Sequence, residues 1–60
     1  MKWSELRKMV EEKGWYLQRH GSKHDVYRHP DKNYHIEIER HNSKEVATGL
    51  LYRIKKQAGL

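Results

Sequence analysis

The sequence predicts a small α+β domain in the order α-β-β-β-α, a three-stranded antiparallel sheet with both helices packed on one face. Three observations point there. Apolar residues recur at helical spacing near both ends of the chain, short aromatic and β-branched runs flank Gly21-Ser22, and Tyr34, Ile36 and Ile38 alternate with His35, Glu37 and Glu39. A chain of 60 residues holds one domain, 1–60, without repeats or linkers.

The first helix is expected over residues 4–13. Ser4 suits its N-cap, Glu5 suits its positive end, Leu6, Met9 and Val10 form the apolar stripe, and Gly14 stops it. The next five residues, Trp15 to Arg19, are too few for a stable helix and are bounded by glycine on both sides, which favours a strand. His20 to Lys23 then form a hairpin turn. A second strand follows from about His24 to Arg28, and His29-Pro30-Asp31-Lys32-Asn33 has turn composition. Tyr34 to Glu39 make a half-buried strand with His35, Glu37 and Glu39 on its wet face. After a polar connection over residues 41–45, a second helix takes Thr48 as N-cap and Ala47, Leu50, Leu51, Ile54 and Ala58 as its apolar stripe, with Gly59 ending it.

Alternation along the second strand sets a choice of face. His24, Val26 and Arg28 share one side, while Asp25 and Tyr27 share the other. Tyr27 offers the larger apolar area, so it is expected inward, which turns His24 to the open side.

Composition narrows the function classes. Hydrophobic residues make up 35% of the chain and Phe is absent, so the core is small and an enclosed metabolite pocket is not expected. Without cysteine there are no disulfides or Cys-based zinc sites. No apolar run approaches a membrane span and the N-terminus lacks a signal-peptide core, so a cytoplasmic protein with no membrane partner is expected. Thirteen Lys and Arg against eight Asp and Glu give a formal charge of +5, which favours a polyanionic partner and equally serves solubility.

The richest stretch runs from Gly21 to Pro30, where a glycine turn, an imidazole and several cations fall within ten residues. Histidine is the side chain whose ordinary pKa lies near neutral pH, so such a grouping can bind a phosphodiester and move a proton. His24 is the candidate general base or acid, against the plainer reading of an exposed turn histidine. Lys23 and Arg28 are candidate phosphate contacts, and Gly21 and Ser22 are placed to offer backbone N–H groups. A solvated cationic face and a hairpin's need for glycine would explain the same residues.

Lys13-Gly14-Trp15, Gly21-Ser22 followed closely by His24, Arg28-His29-Pro30-Asp31, and Leu51 with Ile54-Lys55-Lys56-Gln57-Ala58-Gly59-Leu60 stand in that order over nearly the whole length. In these motifs the chain resembles the HicA toxins, small bacterial mRNA interferases of type II toxin–antitoxin systems. The resemblance implies a fold like a double-stranded-RNA-binding domain and cleavage of mRNA that needs one histidine, carried here onto His24. It also implies neutralisation by a HicB-type antitoxin and no cofactor. The alternative is a non-catalytic RNA-binding module of the same fold, although Glu45-Val46-Ala47-Thr48 stands where such modules carry a basic cluster.

Other groupings read more plainly. His20, His29, His35 and His41 do not follow a zinc-ligand spacing, although His29 or His41 is a possible second proton-transfer group or phosphate contact. Glu37 and Glu39 keep a strand face wet, Trp3, Trp15 and Tyr34 serve the core before they stack bases, and Arg53, Lys55 and Lys56 give the second helix a basic side open to RNA or an acidic partner.

Overall fold

The computed structural model describes residues 1–60 and contains α1 (Trp3–Glu12), β1 (Tyr16–His20), β2 (His24–Arg28), β3 (Ile36–Glu39) and α2 (Thr48–Ala58). The strands form one antiparallel sheet in the order β1-β2-β3. Tyr27, Ile36 and Ile38 meet Trp3, Leu6 and Val10 of α1 and Ile54 and Ala58 of α2 in a single core, which Trp15 and Val46 complete. The expected architecture and the inward choice of Tyr27 therefore hold, with Tyr27 only 1% exposed.

The helix starts differ from expectation for tertiary reasons. The N-cap of α1 is Lys2, and Ser4 lies inside the first turn. Trp3 and Ser4 donate their N–H groups to the carbonyls of Lys44 and Asn42 at 3.0 and 3.1 Å, and Glu5 accepts the Lys2 N–H at 2.9 Å. The connection before α2 thus satisfies donors that a capping side chain would otherwise serve. Ala47, not Thr48, caps α2, and Val46 takes the buried place expected of Ala47. At the far end of α2, Gly59 adopts φ +78° while Leu60 donates back to the Lys55 carbonyl at 2.9 Å, and the Leu60 side chain packs on the core.

The strands also shift slightly. β3 begins at Ile36, with Tyr34 in the preceding turn, where its hydroxyl donates to the Gln57 carbonyl at 2.6 Å. β1 runs one residue later than expected and includes His20. Leu17 pairs with Tyr27 but Arg19 pairs with Val26, so Gln18 is an extra residue and the strand bulges there. The bulge reverses the alternation, placing Arg19 on the open face and His20 on the helix side opposite Asp25.

Candidate functional site

His24 opens β2 immediately after the hairpin turn, on the face away from the core, with its side chain 43% exposed. It lies in an open cleft of about 580 Å³ lined by Ser22, Lys23, Glu39, Arg40 and His41 besides itself, with no hydrophobic residue. His24 also borders two smaller hollows, one with Arg19, Val26 and Glu37 and the other with Trp3, Leu50 and Arg53. Antiparallel pairing sets Glu39 directly opposite, and the Glu37 carboxylate stands 3.8 Å from His24 Nδ1, beyond hydrogen-bond length but near enough to act by charge.

The turn holds this position by close packing. The Gly21 N–H donates to the His24 carbonyl at 2.8 Å, and a Cβ on Gly21 would sit 2.7 Å from that same oxygen. Backbone proximity, not a positive φ, demands glycine here. The Gly21 carbonyl accepts from Arg40 Nη2, which ties the end of β3 to the turn. Gly21 therefore shapes the site with both of its backbone groups engaged, while the N–H groups of Ser22 and Lys23 have no acceptor in the chain.

Beneath the turn lies Asp25, the one buried charged residue, 3% exposed on the helix side. Its carboxylate accepts from Arg7 Nη1 at 3.0 Å and pairs with His20 Nδ1 at 2.6 Å, and Arg40 Nε approaches to 3.7 Å. Burial pushes this carboxyl upward, but the hydrogen bonds from His20 and Arg7 and their charges outweigh it and hold it below the usual carboxylate range. Arg7 also donates to the Tyr27 hydroxyl at 2.9 Å, the Glu39 carbonyl at 3.0 Å and Asn42 Oδ1 at 3.3 Å. Burial would lower the Arg7 guanidinium, yet Tyr27 and Asp25, by hydrogen bond and charge, raise it above its ordinary value. Tyr27 in turn donates to Glu11 Oε2 at 2.8 Å, and burial together with that bond raises its phenol. One arginine on α1 thus fixes β2, the end of β3 and the loop after it.

Residues 3–60 match the family described as "HicA toxin of bacterial toxin-antitoxin". The chain belongs to the HicA toxin family. It is therefore a toxin of a toxin–antitoxin system. Among solved structures it is similar to a chain of the "HicA3 and HicB3 toxin-antitoxin complex", with a TM-score of 0.77 and 28% identity, covering 100% of this chain and 96% of that one. Curated proteins give no match.

In this HicA toxin the residues singled out from sequence are only partly brought together. Ser22, Lys23 and His24 share the cleft and Gly21 supports it, but Arg28 lies four residues along β2 from His24. At about 3.3 Å per residue the two backbone positions are roughly 13 Å apart, and Arg28 is not among the residues lining the cleft. His29 is a structural residue: Nε2 donates to the Lys13 carbonyl at 2.9 Å, Nδ1 accepts the Asp31 N–H at 3.1 Å, and the ring packs edge-on against Trp15 at 5.3 Å. Trp3 and Trp15 are core, while Tyr34 covers Trp15 from a half-exposed position.

The site residues that sequence reasoning passed over are Arg40, Arg19 and Asp25. Their signal was present in part. Placing Tyr27 inward also places Asp25 inward, and a buried carboxylate requires a cation. Nothing in the sequence assigned that cation to Arg7. No three His, Cys, Asp or Glu side chains gather into a metal-holding group, and no helix is long and apolar enough to cross a membrane.

Proposed function

We propose that this HicA toxin is a cytoplasmic mRNA endoribonuclease that uses the RNA's own 2′-hydroxyl as nucleophile, with His24 as its essential acid–base residue, and that a HicB-type antitoxin neutralises it. The single observation that carries this reading is the placement of His24 in an open cleft lined only by polar and charged residues, beside two unengaged backbone N–H groups and the cations Lys23 and Arg40. An internal nucleophile needs deprotonation, the phosphate needs its growing negative charge stabilised, and the departing 5′-oxygen needs a proton. His24 supplies proton transfer. Ser22 and Lys23 supply N–H donors aimed at a non-bridging oxygen, in the manner of a backbone anion nest, and Lys23 adds a point charge. Arg40, already bound to the Gly21 carbonyl, presents its guanidinium from the opposite wall.

Arg28 and Arg19 occupy the same open sheet face and suit neighbouring phosphates of an extended strand. An antitoxin covering the cleft would exclude RNA by occupying these cations, and the exposed Arg53 and Lys56 of α2 extend the basic surface available to it. Incubation of the protein with end-labelled mRNA in EDTA tests the reading. Wild type is expected to leave 2′,3′-cyclic phosphate and 5′-hydroxyl ends, and His24→Ala is expected to lose cleavage while keeping its unfolding midpoint. An equally active His24→Ala protein would refute the assignment, and RNA binding without cleavage by wild type would favour a binding module instead.

A further inference from the structure

We propose that His41 is a second catalytic residue, dividing the two proton transfers of RNA cleavage with His24; the inference rests on the ribonuclease reading above. In an in-line displacement the attacking 2′-oxygen and the leaving 5′-oxygen stand on opposite sides of phosphorus. A single imidazole on one side cannot serve both within one step, so a second group is needed across the phosphate.

The cleft itself offers the candidate. His24 comes from the start of β2 and His41 from the segment just after β3, and both line the same polar cavity. The exposed His41 side chain makes no hydrogen bond or ion pair within the chain. Its backbone is fixed, since the His41 carbonyl accepts the Lys44 N–H at 3.1 Å and the adjacent Asn42 is held by Arg7. The other histidines are committed elsewhere. His20 is bonded to Asp25 on the helix side, His29 uses both ring nitrogens in the backbone near Gly14, and His35 faces Glu37 at 3.3 Å in a separate hollow with Leu50 and Arg53. Glu39, the carboxylate among the cleft's lining residues, is paired with Lys44 at 3.6 Å, while Lys23 and Arg40 serve the phosphate charge.

The roles follow from the charges nearby. Glu37, 3.8 Å from His24 Nδ1, is placed to stabilise the positive charge that arrives when His24 takes the 2′-hydroxyl proton. As the bond from the 2′-oxygen to phosphorus forms and the bond to the 5′-oxygen breaks, the protonated His41 gives its proton to the departing oxygen. The products are a 2′,3′-cyclic phosphate and a 5′-hydroxyl, and solvent returns both rings to their starting states.

An oligoribonucleotide with one scissile linkage carrying sulfur in place of the 5′-bridging oxygen tests this division, because a thiolate leaves without protonation. On the normal linkage His41→Ala is expected to lose about 10² to 10⁴ fold in rate. On the sulfur linkage it is expected to recover to within about tenfold of wild type, while His24→Ala stays inactive on both. Unchanged cleavage by His41→Ala on the normal linkage overturns the proposal. So does an equal loss on both linkages in a variant that still folds and binds RNA, or recovery by His24→Ala. Failure of wild type to cut either linkage would instead overturn the ribonuclease reading itself.

Discussion

Removing the Asp25 carboxylate should test whether the buried ion pair holds the molecule together. Asp25→Ala leaves the Arg7 guanidinium, whose side chain is 18% exposed, facing a vacated partner. A hydrogen bond to a charged group contributes about 1.5–3 kcal/mol, and breaking one side of a fully buried pair costs about 3–5 kcal/mol. Arg7 keeps Tyr27, the Glu39 carbonyl and Asn42 as acceptors, and the His20 side of the cluster is 65% exposed, so its bond counts for little. The expected loss is therefore about 2–3 kcal/mol. A domain of this length is stable by roughly 3–9 kcal/mol, and each kcal/mol lowers Tm by about 4–8 °C. Urea unfolding followed by fluorescence of the buried Trp3 and Trp15 would measure it. In a double-mutant cycle with Arg7→Met, the pair should couple by at least about 1 kcal/mol. Additivity within about 0.5 kcal/mol, or an Asp25→Ala loss smaller than that, would refute the account. The pH dependence has a definite sign. Because the folded carboxyl lies below its unfolded value of about 3.9, its contribution is complete above that pH and disappears as pH falls through the folded value. Asp25→Asn should flatten this acid limb of stability relative to wild type.

Two further substitutions probe the scaffold around the cleft. Gly21→Ala should cost about 1–3 kcal/mol and displace the backbone at His24, since the new Cβ meets a carbonyl that cannot swing aside; amide chemical shifts confined to wild-type positions across residues 20–25 would count against it. His29→Phe keeps a ring against Trp15 but removes the bonds to the Lys13 carbonyl and the Asp31 N–H, so about 1–2 kcal/mol of stability should be lost while the folded protein still cleaves RNA. Abolished cleavage at unchanged stability would make His29 part of the chemistry.

Local chemistry determined much of this protein directly. Helical spacing in Leu6 and Val10 and in Ile54 and Ala58, the alternation of Ile36 with Ile38, and the glycine punctuation at 14, 21 and 59 each depend on neighbouring residues alone, so the element order was legible in one chain. The same alternation set His24 on the face opposite Tyr27, because a strand exposes its two faces in turn, and the larger apolar area of Tyr27 favoured that residue for the inner one.

Tertiary structure decided what lay beyond that reach. The bulge at Gln18 is a matter of pairing between two strands, and it alone carries His20 to the side of Asp25. Helix α1 begins at Trp3 because carbonyls some forty residues away accept its first N–H groups. His29 belongs to packing, although its imidazole is chemically equivalent to that of His24, because Gly14 ends α1 in a left-handed turn that brings the Lys13 carbonyl within reach. The separation of Arg28 from the cleft, and the arrival there of Arg40 and His41, depend on where β2 and β3 end relative to one another. Residue identity supplies the charge and the proton, but only the register of the sheet places them around a common space.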